Sequence, residues 1–173
     1  MDEKRMSPNV AQEQDLVITR IFNAPRELVW RYFTDPELYK KWMGPKGFSC
    51  PVAEIDLRAG GKYLNCMKSP EGQEFWSTGV YREIIEPERI VATDSFADEK
   101  GNVVHAEHYG MSKDFPLEML VRMTFEEQGS GQTKFTLRHI GIPNVEMLNA
   151  TREGWSESFD KLDDQLQNYE ELL

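Results

Sequence analysis

Four polar side chains interrupt apolar, alternating runs: Tyr63, Asn65, Asp94 and His139. In "KYLNCM", Tyr63, Asn65 and Met67 fall on one strand face, and Leu64 and Cys66 on the other. In "IVATDSF", Asp94 alternates with Ile90, Ala92 and Phe96. In "TKFTLRH", His139 alternates with Phe135 and Leu137. A carboxylate, an imidazole and a phenol facing one apolar space could do acid–base chemistry on a bound ring, with Asp94 as the base. Asn65 and Asp94 could instead hold the polar end of a ligand by hydrogen bonds. The plain alternative for each is a group facing solvent, or one satisfied by a neighbour or a water. No Ser-His-Asp or Cys-His arrangement is legible, so Asp94, His139 and Tyr63 are the only catalytic candidates, and none is assigned as catalytic.

Other features point away from chemistry. His105 and His108 stand three apart in "HAEH", but the surrounding loop shows no helical pattern that would aim both at one ion. No metal and no cofactor is expected. The pair Gly60-Gly61 in "DLRAGGKYLNC" precedes a strand, whereas a phosphate loop opens a helix. It reads as a hairpin corner, steadied by Asp56 and Arg58. If that corner closes the hairpin, Cys66 faces a residue near position 54. Cys50 then lies roughly 13 Å along the strand from that partner, beyond the reach of about 7 Å that a disulfide allows. Two free thiols and a polar N-terminus without an apolar signal region read as cytoplasmic.

The elements that must carry these residues follow from pattern. "DLVITRIF" (15–22) is a short β-branched strand. Pro25 and then Asp35-Pro36 open two short helices, the second stopped by Gly44-Pro45. Strands are expected at 48–57, 61–68, 74–85, 89–96, 116–126 and 132–142, with turn signals at "SPEGQ", "EPE" and "EQGSGQ". Leu117, Met119, Val121, Met123 and Phe125 share one face of the strand at 116–126. Residues 97–115 form a long connection of the kind that covers an entrance. A last helix, about 144–171, carries Leu148, Trp155, Phe159, Leu162, Leu166 and Tyr169 on one stripe. Its surface pairs Glu157 with Lys161. Gly154, costly inside a helix, suggests close approach to the sheet.

The fold class expected is α+β: a curved seven-stranded antiparallel sheet wrapped around a long C-terminal helix, with two short helices after strand one. Residues 1–14 read as a mobile polar tail and 15–173 as a single domain. A straight helix on a curved sheet leaves space between them, the default ligand site. The chain has 173 residues and a net charge of −10, which opposes nucleic acid and anionic membrane surfaces. No apolar run approaches the roughly 18 residues of a membrane span.

The pieces "ITRIFNAPRELVWRYFTDPELYKKWMGP", "AEIDLRAGGKYLNCM", "GVYREIIEPERIV", "LVRMTFEE", "TKFTLRHIGIP" and "REGWSESFDKLDDQL" stand in an order that resembles the activator-of-heat-shock-protein-90-ATPase homologue family. That family lies within the SRPBCC superfamily of START-like and pollen-allergen-like proteins, and "HYGM" resembles one bacterial subgroup. The resemblance implies the helix-grip fold. Relatives usually carry an apolar or aromatic residue at the position of Asn65, on the cavity side. The superfamily includes lipid carriers, hormone binders, polyketide cyclases and a co-chaperone. The expected function is therefore binding of a small, largely hydrophobic molecule or lipid. The alternatives are a chaperone cofactor and a cyclase-like or hydrolase-like enzyme. The expected ligand-binding residues are Tyr63, Asn65, Met67, Asp94 and Phe96 from the middle strands. Met119, Val121, Met123, Leu137 and His139 come from the later strands, and Trp155, Phe159 and Leu162 from the helix. His108, Tyr109 and Met111 are expected on the loop at the cavity mouth.

Overall fold

The computed structural model describes residues 15–169. The N-terminal tail expected at 1–14 lies outside the described residues. Seven strands are formed: β1 Leu16–Phe22, β2 Ser49–Ile55, β3 Lys62–Lys68, β4 Glu74–Ile85, β5 Arg89–Ala97, β6 Met119–Gln128 and β7 Gln132–Ile140. They make one antiparallel sheet in the order β1-β7-β6-β5-β4-β3-β2. Helices α1 (Arg26–Thr34) and α2 (Pro36–Tyr39) follow β1, and α3 (Val145–Asn168) ends the fold. This is the sheet and long C-terminal helix expected from the pattern, and the helix-grip fold that the resemblance implies. Among the described residues no helix is long and apolar enough to cross a membrane.

The helix starts follow their capping residues. Asp35 accepts from Glu37 N at 2.9 Å with Pro36 in the first turn of α2. Asn144 accepts from Met147 N at 3.0 Å at the start of α3. The β2–β3 corner needs its second glycine for space: a Cβ at Gly61 would stand 2.1 Å from the Asp56 carbonyl oxygen. Arg58 and Asp56 pair there at 3.0 Å, as expected.

Between sheet and α3 lies an aromatic core. Phe22, Phe125, Phe135 and Phe159 are at most 1% exposed. Phe33 stacks on Phe135 at 4.9 Å, and Phe159 meets Phe135 edge-on at 5.2 Å. Trp42, 0% exposed, donates its indole N–H to the Tyr32 carbonyl at 2.8 Å, so its one polar atom is satisfied.

Four local expectations are corrected. Cys66 pairs with Val52, and an irregularity between Ser49 and Val52 brings Cys50 closer to it than simple hairpin counting allows. Both thiols are free and buried, and burial pushes each up to about 11. β6 begins at Met119, leaving Leu117 exposed beyond the sheet. Glu157 and Lys161 do not pair with each other. The 44–48 loop takes both: Glu157 accepts from Lys46 N at 3.1 Å, and Lys161 Nζ donates to the Gly44 and Phe48 carbonyls at 3.0 and 2.9 Å. Burial lowers the affinity of Lys161 for its proton, and these carbonyls are what holds the ammonium there. Finally, no close approach to the sheet demands Gly154. The nearest atom to a Cβ there is Pro45 Cγ at 3.7 Å, an ordinary contact.

Candidate functional site

The space under the N-terminal half of α3 is open. It forms a cavity of about 590 Å³. β3, β5, β6 and β7 line it with Tyr63, Asn65, Met67, Asp94, Phe96, Met119, Val121, Met123 and His139. The helix contributes Met147, Ala150, Thr151, Gly154, Trp155 and Ser158. The β5–β6 connection contributes Met111, Ser112 and Phe115. Met111 and Ala150 both line the cavity and reach solvent, which marks its mouth.

A line of polar groups crosses this cavity. It begins at Tyr63, whose partner across β4 is Gly79. A Cβ at Gly79 would stand 2.5 Å from Tyr63 Cε2 and 1.9 Å from the Thr93 carbonyl oxygen. The missing side chain lets the phenol ring lie over β4 and reach β5. There Tyr63 OH is placed to donate to the Thr93 carbonyl at 3.0 Å and to Asp94 Oδ1 at 2.9 Å. Burial, and then the Asp94 charge, raise the Tyr63 phenol well above its ordinary range, so it remains a donor. Asp94 Oδ2 lies 3.4 Å from His139 Nε2. His139 Nδ1 in turn accepts the Trp155 indole N–H at 3.1 Å.

That last bond fixes the histidine. An indole N–H can only donate, so Nδ1 carries no proton and the ring hydrogen sits on Nε2, facing Asp94. Burial lowers the proton affinity of His139, opposed by the Asp94 charge. Burial and the Trp155 bond to Nδ1 both favour the neutral imidazole, against the pull of the Asp94 charge. Its Nε2 is buried and has no hydrogen-bond partner, the 3.4 Å approach of Asp94 Oδ2 being misaligned for one.

A second polar cluster lies on the same wall. Ser77 Oγ donates to Asn65 Oδ1 at 2.8 Å, and Asn65 Nδ2 donates to Tyr39 OH at 3.2 Å. Asn65 is 5% exposed. No serine or cysteine is in hydrogen-bond contact with His139, whose polar neighbours among the described residues are Trp155 and Asp94. The arrangement offers a carboxylate acceptor inside an apolar chamber and no activated nucleophile. No group of three or more His, Cys, Asp or Glu among the described residues could hold a metal ion.

Three residues expected at the site stand elsewhere. Leu137, Phe159 and Leu162 are 0% exposed in the aromatic core and do not reach the cavity wall. On the mouth loop, Met111 lines the cavity, whereas His108 and Tyr109 do not. Tyr109 anchors the loop from behind: its OH donates to the Ala97 carbonyl and accepts from Trp76 N at 3.0 Å. His108 is exposed and rests edge-on against Tyr109 at 4.8 Å. The pattern missed Tyr39, Ser77 and Gly79. The turn at 69–73 pairs Lys68 with Glu74, so counting back sets Ser77 opposite Asn65 and Gly79 opposite Tyr63, as observed. Tyr39 carries no such signal, because α2 has only four residues and no periodicity to read.

A family profile described as Activator of Hsp90 ATPase homolog 1-like protein matches residues 23–167. A crystal structure of a protein from Chromobacterium violaceum is 29% identical, with 92% of this chain and 97% of that one covered and a TM-score of 0.73. One from Nitrosomonas europaea is 28% identical, with coverage of 93% and 98% and a TM-score of 0.74. An AHSA1 protein from Silicibacter pomeroyi, 24% identical over 89% of this chain and 98% of that one, shares the fold at a TM-score of 0.72. Among curated proteins no match is found.

Proposed function

The chain belongs to the Activator of Hsp90 ATPase homolog 1-like family, and from that premise we propose that it binds a small, largely hydrophobic ligand between the sheet and α3. The fold of this family commonly holds hydrophobic ligands. The observation that carries the reading here is the cavity itself. Its volume of about 590 Å³ falls inside the range of small-molecule sites, roughly 300–1,000 Å³. Its walls are mostly aliphatic, aromatic and methionine side chains, which gain by leaving water and adapt to irregular shapes. The family's other association is with a chaperone. A module built only to hold a partner protein would have no use for hollow space under its helix, so the cavity favours the ligand.

Native mass spectrometry of purified protein, followed by organic extraction, tests this. A reproducible lipophilic adduct that leaves on extraction is the expected result. Repeated absence of any adduct, together with no thermal shift from a panel of lipophilic compounds, would count against the reading. Stimulation of a cognate chaperone's ATPase by protein whose cavity is blocked would favour the rival.

A further inference from the structure

We propose that the cavity selects an uncharged ligand bearing a hydroxyl-type hydrogen-bond donor, held against Asp94, and turns away carboxylic acids of the same apolar body. The inference rests on the ligand-binding reading above and names the chemistry of what binds.

Three observations lead there. First, Asp94 is incompletely satisfied. A carboxylate offers about four acceptor positions. Tyr63 OH approaches Oδ1 at 2.9 Å, while the nearest group to Oδ2, His139 Nε2, stands 3.4 Å away without an ordinary hydrogen bond. The Asp94 side chain keeps 21% exposure and the residue lines the cavity. Its spare acceptor capacity therefore faces the place a ligand would occupy. Second, no lysine or arginine lines the cavity among the described residues. The single histidine is held neutral by the Trp155 bond to its Nδ1. Glu54, the other acidic residue at the lining, is exposed on the edge strand β2. An anionic head group would thus lose water beside a carboxylate with no countercharge. Third, the acceptor oxygen of the other polar centre is already engaged. Asn65 spends its oxygen on Ser77 and one N–H on Tyr39, so it competes little with Asp94 for the ligand's polar end.

The donor and the acid are separated by a matched set of probes: 2-naphthol, 2-methoxynaphthalene and 2-naphthoate. Isothermal titration calorimetry at neutral pH gives the affinities, with ligand-observed NMR to detect weak binding. The naphthol is expected to bind about tenfold more tightly than the methyl ether, the difference a charge-assisted hydrogen bond makes. The naphthoate is expected to be weakest. In Asp94→Asn the advantage of the naphthol falls below about threefold and the naphthoate gains. In Tyr63→Phe, which keeps the carboxylate, the preference for naphthol persists. Naphthoate binding as well as naphthol in the unaltered protein overturns the proposal, whether or not the Asp94 variant folds. If all three probes bind alike, donor selection falls while the ligand-binding reading stands. If none binds, and the purified protein carries no lipophilic adduct, the ligand-binding reading falls and this inference with it.

Discussion

Phe159, Leu162 and Leu166, on the C-terminal half of α3, are at most 4% exposed and pack into the aromatic core. Met147, Ala150, Thr151 and Gly154, on its N-terminal half, face the cavity. One helix thus meets one sheet in two ways. Where its stripe is large and apolar, the gap between straight helix and curved sheet is filled. Where the helix presents Ala150, Thr151 and Gly154, the gap stays open, and polar groups from β3, β5 and β7 project into it. The division of labour follows: stability resides mainly in the filled half, while the hollow half can carry polar side chains that a packed core would not tolerate.

Truncating one residue in each half should expose the largest difference between them. Phe159→Ala removes a ring that meets Phe135 at 5.2 Å and stacks on Trp155 at 5.5 Å. The expected cost is about 3–5 kcal/mol. Met123→Ala, on the cavity wall, should cost roughly 1 kcal/mol, since its loss enlarges a space already open. Urea denaturation measures both, and equal costs would mean that the two halves are not energetically distinct.

Next in size is Gly79→Ala. The new methyl would collide with the Thr93 carbonyl and with the Tyr63 ring. A destabilisation of about 1–3 kcal/mol is expected, the usual range for overpacking. The Tyr63 ring should also lose its fixed environment, read from its aromatic NMR signals. An unchanged Tyr63 would show that Gly79 is not what seats the phenol against Asp94.

These variants also mark how far the sequence can be read. The seven strands, their order along the chain and the helix starts were legible, because alternation, proline and capping residues are local signals. Inward-facing positions were legible too: Tyr63, Asn65, Asp94 and His139 all reach the cavity. Depth along the helix was not. Leu137 and His139 share a strand face only two residues apart, yet Leu137 lies in the filled half and His139 on the cavity wall. Periodicity says which way a side chain points, whereas the sheet's curvature decides what it meets, and curvature is a sum over all the strands. Lys161 taught the same lesson at the surface. Its helical neighbour Glu157 was the local choice, but three loop carbonyls offered a better-placed set of acceptors.

A smaller effect separates the halves by pH. Burial holds the proton affinity of His139 below its ordinary 6.5, only partly offset by Asp94. Above that value the imidazole is neutral in both folded and unfolded chains, and its contribution to stability is fully present. As pH falls below it, the unfolded chain takes up a proton that the folded chain resists. Stability is therefore lost progressively until the folded-state value is passed. Denaturation series between pH 7 and pH 5 should show a fall in stability that His139→Gln reduces. An identical slope in the variant would mean that His139 is not the group responsible.

The smallest expected change has the opposite sign, and for that reason tests the comparison most directly. Gly154 lies inside α3, where glycine costs about 1 kcal/mol relative to alanine. No steric demand explains it, since the nearest atom to an added methyl is Pro45 Cγ at 3.7 Å. It does line the cavity. If the hollow half is kept open for a ligand at the expense of stability, Gly154→Ala should raise stability by about 1 kcal/mol, or the melting temperature by about 2–4 °C. The same methyl takes space from the cavity, so the bulkiest probes that enter the unaltered protein should bind the variant more weakly. Calorimetric melting and probe titration on one preparation measure both. A variant that is less stable would show that α3 approaches the 44–48 loop more tightly than a 3.7 Å contact implies, and the open half would then owe its glycine to packing.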